Sequence, residues 1–236
     1  MIHIAAQTGS TNADLLDRIK SGEAIEEGTW LVADRQTDGR GRQGREWFDG
    51  HGNFMGSTLV RLGPNDPPAQ TLSLMVGIAV YDAVLPLVPD AFALKLKWPN
   101  DVLLNGAKLA GILLESEADA IVIGIGVNLR QAPKLEGREA IAIADVTTAL
   151  ERDEFAPTLA RGLRDELARW RQYGLEPLLS KWKAVAYPEG TSISVHDGNG
   201  EPLAGTYAGL TDTGSLLLRL ADGETRAIHA GDVVLD

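Results

Sequence analysis

The dipeptide Asn105-Gly106 limits what this chain can become more than any other feature. It stands between two runs of strand-forming residues, DVLL before it and KLAGILLES after it. Asn-Gly tolerates the two positive φ angles of a two-residue hairpin turn, so the runs should pair as antiparallel neighbours. ALKLKW precedes the pair and AIVIGIGVNL (120–129) follows it, which makes a cluster of strands joined by short turns. Upstream, IHIAA (2–6), TWLVAD (29–34) and FMGSTLVRL (54–62) read as further strands. Between the first two, Ser10 or Thr11 caps a helix with Leu15, Leu16 and Ile19 on one face. AQTLSLMVGIAVYDAVLPLV (69–88) is an apolar helix expected to lie buried against the sheet. Hairpins of this kind give an α+β fold with a mixed, largely antiparallel sheet, not a doubly wound parallel one.

Downstream, Leu159, Leu163, Leu167 and Trp170 recur at helical spacing within 155–174, where Gly174 is a natural stop, and a short helix is expected around 177–185. From about Pro188 the pattern changes to short strands separated by HDGNGEP, GLTDTGS and ADGE, which suggests a small β-barrel. The expected division is a main domain at 1–184 and a small C-terminal domain at 185–236.

Composition narrows the function. The 236 residues include no cysteine, which excludes disulfides, thiolate nucleophiles and thiolate metal sites and fits a reducing cytoplasm. No basic segment leads into an apolar run at the N-terminus, and no stretch approaches about 18 uninterrupted apolar residues, so neither export nor a membrane partner is expected. A formal net charge of −11 opposes general nucleic-acid binding, which relies on clustered Lys and Arg. Against that acidic background Arg35, Arg40, Arg42 and Arg45 fall close together, and any phosphate site belongs there.

Four segments have residues suited to chemistry. GRGRQGREW (39–47) lies in a stretch, 36–53, whose glycines at 39, 41, 44, 50 and 52 deny it regular structure, so a long mobile loop is expected. Its glycines let backbone N–H groups approach an anion, and its guanidinium forks match carboxylate and phosphate oxygens. It reads as an anion-binding lid, a solvated arginine loop or a nucleic-acid segment, and the acidic net charge weighs against the last. Trp47 either offers a face for a purine or anchors the loop to the core. KWPNDVLLNGAKLAGILLE (97–115) puts Lys97, Asn100, Asp101 and Lys108 on one hairpin, as a charged site or, as spacing alone favours, a solvated surface. STN (10–12) is a helix start able to hold a small polar ligand, though most such starts are only caps. GIGVNL (124–129) is not a dinucleotide fingerprint, because Leu129 and Pro133 leave no glycine-capped helix for a pyrophosphate. No P-loop or nucleophile-elbow motif occurs, and His3, His51, His196 and His229 lack paired metal spacing.

Taken together and in order, STN, Gln36, GRGRQGREW, KWPND, KLAGILLE and GIGVN closely resemble the biotin protein ligase family over roughly residues 7–129. The resemblance implies a catalytic domain of the class II synthetase type followed by a small β-barrel. It implies activation of biotin by ATP with Mg²⁺ as biotinyl-AMP, then transfer to a lysine of a biotin carboxyl carrier domain. On the matching positions, Ser10, Thr11, Asn12 and Gln36 would take the ureido ring, with Gly39, Arg40, Gly41, Arg42, Lys108 and Gly111 completing the biotin site. Arg40, Arg42 and Lys108 would face the reacting carboxylate and α-phosphate as the catalytic cations. Trp47 would stack on adenine, Asn128 would meet its edge, and Arg45, Lys97, Asn100 and Asp101 would organise the nucleotide, Asp101 with the metal.

Some family members also have an N-terminal winged helix and act as repressors. This sequence begins almost directly at the first catalytic strand, so a DNA partner is not expected, and a homodimer follows from the resemblance alone. Asp38 stands where the family usually has a small residue, adding a negative charge to the loop. A lipoate protein ligase and a non-catalytic binding module are the rival readings, and the loop favours biotin.

Overall fold

In the computed structural model, which describes residues 1–134, 139–148, 150–196 and 202–235, the expected strands assemble into one seven-stranded sheet. Its members are β1 (Ile2–Ala5), β2 (Trp30–Ala33), β3 (Phe54–Arg61), β4 (Leu94–Lys97), β5 (Asp101–Leu104), β6 (Ala107–Glu117) and β7 (Ala120–Val127). They lie in the order β1-β2-β3-β7-β6-β5-β4, with β1 and β2 parallel and the remaining pairs antiparallel. Asn105 and Gly106 sit at φ 52° and 80°, the two positive angles that the hairpin turn requires.

Register determines which side chains share a face. Lys97 lies opposite Asp101, Asp101 opposite Gly111, and Gly111 opposite Gly126, so one row crosses four strands. Side chains alternate between faces, so Gly124, with Ser57 opposite it, belongs to the same face as that row. Helix α1 (Thr11–Lys20) covers the far end of this face, packing Leu15 and Leu16 against Leu59 and Val122. The site therefore opens beside the N-terminus of α1.

The opposite face is the main core. Helix α2 (Leu72–Val84) is apolar all round and buried nearly all round, as a central helix must be, flanked by one-turn 3₁₀ segments at Ala69–Thr71 and Leu85–Leu87. The stretch Ala69–Leu87 is the one among the described residues long and apolar enough to cross a membrane, and 67% of its most apolar window is buried in this core. Helix α3 (Arg152–Tyr173) packs Phe155, Leu159, Leu163 and Trp170 here, and Trp170 Nε1 donates to Thr71 Oγ1 at 2.9 Å. Each such fully buried side chain stabilises the fold by about 1.5–3 kcal/mol. The helix starts at Arg152, before the expected 155, because its first turn is polar and adds nothing to the apolar period. Gly174 at φ 71° ends it, and α4 (Leu175–Val185) follows.

The C-terminal strands are β8 (Ser192–His196), β9 (Leu203–Leu210), β10 (Leu216–Arg219), β11 (Thr225–Ile228) and β12 (Asp232–Leu235). They form an antiparallel sheet in the order β11-β10-β9-β8-β12, whose two outer strands are not paired with each other among the described residues. GLTDTGS and ADGE turn the chain, with Thr211 N donating to Ser215 O and Leu220 N to Glu224 O, both at 2.8 Å. The HDGNGEP turn lies, from 197 to 201, outside the described residues. Ile193, Val195, Tyr207, Leu216 and Val233 join the main core, and Trp98 Nε1 donates to Gly214 O at 3.1 Å, so this sheet is packed onto the first.

Candidate active site

A cavity of about 730 Å³ opens on the sheet face that α1 leaves uncovered, and every site residue named from the sequence lines it. The floor is made by glycine. A Cβ at Gly126 would lie 2.1 Å from the Trp47 ring, and one at Gly111 would lie 2.8 Å from that ring and 3.2 Å from Lys108 Nζ. Trp47 thus rests directly on the sheet, anchoring the loop, with Lys108 Nζ 5.6 Å from the centre of its ring. Its buried Nε1 has no hydrogen-bond partner among the described residues.

The inner end is neutral and buried. Ser10 caps α1, with its hydroxyl 3.4 Å from Ala13 N. Thr11 donates its backbone N–H to Gln36 Oε1 at 2.8 Å, and its hydroxyl lies 3.0 Å from the same oxygen. Asn12 donates from Nδ2 to Glu115 Oε2 at 2.8 Å and accepts from Ser57 Oγ at 2.6 Å. Gly39 is held close, since a Cβ there would meet Trp47 O at 3.0 Å and Gln36 Nε2 at 3.1 Å.

The outer end is cationic. Lys108 pairs with Asp101 at 2.7 Å, and Lys97 reaches the same carboxylate at 3.4 Å while donating to Val233 O at 3.0 Å. Burial opposes the charge on Asp101, but the ammonium groups of Lys108 and Lys97 outweigh it and hold the carboxyl below its ordinary range. Arg42 donates to Asn100 Oδ1 at 3.1 Å and to Gly231 O at 3.3 Å. Burial lowers its pKa from the ordinary guanidinium value, with Asp101 acting in the other direction, and it stays charged. Asn128 is fixed by donating to Ile141 O at 3.2 Å, and its buried Oδ1 has no partner among the described residues.

The glycine-rich loop differs from expectation in two respects. It contains a 3₁₀ turn at Arg42–Gly44, with Gln43 at φ 57°, and closes through Trp47 N donating to Gly39 O at 2.8 Å. Its arginines also have carboxylate partners: Arg35 with Asp49, Arg40 with Asp38, and both Arg42 and Arg45 with Asp232. The extra charge of Asp38 is therefore spent on Arg40, at 3.1 Å.

Sequence reasoning missed Ser57, Glu115, Gly124, Lys134 and Asp232. Gly124 and Gly126 were visible as glycines two apart on a strand, a spacing that bares one face of a sheet. Nothing local marked Asp232, which reaches Arg45 across 187 positions of chain. The residues do not form a cage for a metal: both neighbours of Asp101 are ammonium groups, and no three of His, Asp and Glu gather to hold an ion among the described residues. A divalent cation would have to arrive on the phosphates of a nucleotide.

A neutral, polar inner end and a cationic mouth suit an acid that is joined to a nucleotide. The biotin/lipoate A/B protein ligase family matches residues 4–128, and the biotin protein ligase C-terminal domain matches 190–236. A biotin–[acetyl-CoA-carboxylase] ligase of Mycobacterium tuberculosis is 40% identical over 240 residues, 99% of this chain and 88% of that protein. One from Paracoccus denitrificans is 38% identical, over 97% of this chain and 98% of that protein. The solved structure of a biotin protein ligase from Aquifex aeolicus in complex with biotin and ATP matches with a TM-score of 0.88 at 25% identity, over 100% of this chain and 99% of that one. The chain belongs to the biotin/lipoate A/B protein ligase family.

Proposed function

We propose that this protein is an ATP-dependent biotin protein ligase, working through the cavity described above, with 1–184 as the catalytic domain and 185–236 as the C-terminal one. The observation that supports it best is the convergence of STN, Gln36, the arginine loop, KWPND and KLAG on one cavity with a neutral and a cationic end. Biotin would lie with its ureido ring among Thr11, Asn12 and Gln36 and its carboxylate near Lys108 and Arg42. The nucleotide would lie beyond, with Arg45, Lys97 and Asn100 near its phosphates and Asn128 Oδ1 accepting from the adenine amino group.

In the first step a carboxylate oxygen of biotin attacks the α-phosphorus of ATP and the bond to pyrophosphate breaks. Two like charges 4 Å apart repel by about 4 kcal/mol at an effective dielectric near 20, enough to slow the step by roughly three orders of magnitude. Lys108, Arg40 and Arg42 offset that repulsion and stabilise charge on the departing oxygens. In the second step an acceptor lysine attacks the mixed anhydride, loses a proton and releases AMP, while the loop keeps water out.

The acceptor is a biotin carboxyl carrier domain, the partner that the names of the carboxylase-directed relatives imply. We further infer a cytoplasmic enzyme, since nothing in a cysteine-free chain calls for an oxidising compartment. The net charge of −11 argues against a DNA partner at physiological salt, and a homodimer is carried over from the family. Biotin-dependent exchange of pyrophosphate into ATP tests the function. Exchange driven by lipoate instead would make it a lipoate ligase, and exchange with neither acid would reduce it to a binding module.

A further inference from the structure

At the inner end of the cavity there are too few hydrogens for the contacts made. Gln36 Oε1 accepts the backbone N–H of Thr11 at 2.8 Å, which fixes that amide with its oxygen toward α1. From this oxygen a row runs to Thr11 Oγ1 at 3.0 Å, on to Ser57 Oγ at 2.6 Å, and on to Asn12 Oδ1 at 2.6 Å. Four oxygens thus make three contacts with two hydrogens, one from each hydroxyl. One contact is always left without a proton, since each hydroxyl has a single hydrogen to donate, and all four residues are buried.

The orientation of Asn12 decides this shortage. Its Nδ2 donates to Glu115 Oε2 at 2.8 Å. Turned over, Asn12 would set a carbonyl against that carboxylate and give Ser57 the donor it lacks. Gly124 leaves the amide room, since a Cβ there would fall 2.5 Å from Asn12 Oδ1. Glu115 is half-buried on β6 and does not line the cavity, so it reaches the row only through Asn12.

We propose that Glu115 is a positioning residue for substrate selection: it holds Asn12 so that the inner end has a surplus of acceptors, which takes a cyclic head group through its N–H groups and discriminates against one of similar size without them. The proposal rests on biotin as substrate and adds what enforces the choice. A purely structural role for Glu115 would weaken every ligand alike, so the test is a cycle between protein and ligand changes. Binding without ATP is measured by calorimetry for biotin and for biotin methylated at each ureido nitrogen in turn, on wild type, Glu115→Gln and Glu115→Ala. In wild type, methylating the nitrogen that faces the row should weaken binding by about 30-fold, the loss of a hydrogen bond to a strained acceptor. In both variants Asn12 is free to turn, and that penalty should shrink by about tenfold. Ser57→Ala, which removes the middle of the row, should shrink it likewise and serves if the Glu115 variants do not fold. An unchanged penalty in folded variants, with biotin and methylated biotin weakened by one factor, overturns the proposal. Failure of the wild type to bind biotin at all would instead overturn the function on which it rests.

Discussion

At the inner end of the cavity Thr11, Asn12, Gln36 and Ser57 are neutral, buried and joined by contacts of 2.6–3.0 Å. At the mouth Arg42, Arg45, Lys97 and Lys108 are charged, partly open to water and paired with Asp101 or Asp232. The difference follows from what each end has to do. A neutral head group is recognised by hydrogen bonds whose net worth is about 1 kcal/mol each, so its donors and acceptors must be in place before it arrives. Cations in a half-buried site are costly unpaired, so these lean on carboxylates, and on the proposed function they would exchange them for ligand oxygens. Asp101 is held by two lysines of its own sheet. Asp232 belongs to another sheet, so its pairs are the ones expected to exchange.

The sharpest way to break this contrast is Lys108→Ala, which should lower biotin-dependent pyrophosphate exchange by about a hundredfold, for a charge-assisted contact of about 1.5–3 kcal/mol. It should also cost stability, because Asp101 keeps only Lys97, and stripping a partner from a buried pair costs up to about 3–5 kcal/mol. In wild type the lowered carboxyl of Asp101 contributes stability above its unfolded pKa, about 3.9, and that contribution is lost as pH falls through the folded value. Without Lys108 the burial penalty gains on the remaining lysine, so the loss should widen from pH 4 to pH 7 in urea titrations. The double variant Lys108→Ala/Asp101→Asn should regain stability but not exchange. A gap independent of pH would mean that Asp101 does not depend on Lys108.

At the inner end the corresponding change is Gly124→Ala. Its φ is ordinary, so the backbone accepts alanine, but the new Cβ would fall 2.5 Å from Asn12 Oδ1 and something must move. Overpacking of this kind costs about 1–3 kcal/mol, so biotin affinity should drop roughly tenfold to a hundredfold in calorimetry while ATP affinity in the absence of biotin holds. Equal losses for both ligands would erase the distinction between the ends.

How much of this was legible depends on how far apart the partners are in the chain. Asn105-Gly106 is a local signal, so the hairpin and the antiparallel sheet followed from a short stretch, whereas the pairing of Lys108 with Asp101 did not, since spacing alone favours a solvated surface there. The cavity residues were legible as a set only through the order of their motifs, which resembles one family, because taken singly STN reads as a cap and the KWPND hairpin as a solvated surface. Asp232 and Glu115 escaped because their roles exist only in three dimensions, with 187 positions between Arg45 and Asp232 and 103 between Asn12 and Glu115. Gly124 and Gly126 were tested as a phosphate loop at a helix N-terminus, whereas they open the middle of a strand. The loop is expected to be irregular on its glycines alone, and the carboxylates that fold against its arginines, Asp38, Asp49 and Asp232, carry no local sign of that role.

That last point supplies the smallest of the expected effects. If Asp232 holds the loop by pairing with Arg42 and Arg45, then Asp232→Asn should loosen it without touching the floor of the cavity. The pairs are partly exposed and worth no more than about 1 kcal/mol, so trypsin should cut the ligand-free variant after Arg40, Arg42 or Arg45 up to about five times faster than wild type. Biotin with ATP should protect both proteins to the same level, since phosphate then serves where the carboxylate did. Equal cleavage of the two free proteins would show that Trp47 on its glycine floor, and not Asp232, holds the loop. Unaltered cleavage with saturating ligands would show that the arginines never exchange one anion for the other, and the contrast between a prepared inner end and an exchangeable mouth would fail at the mouth.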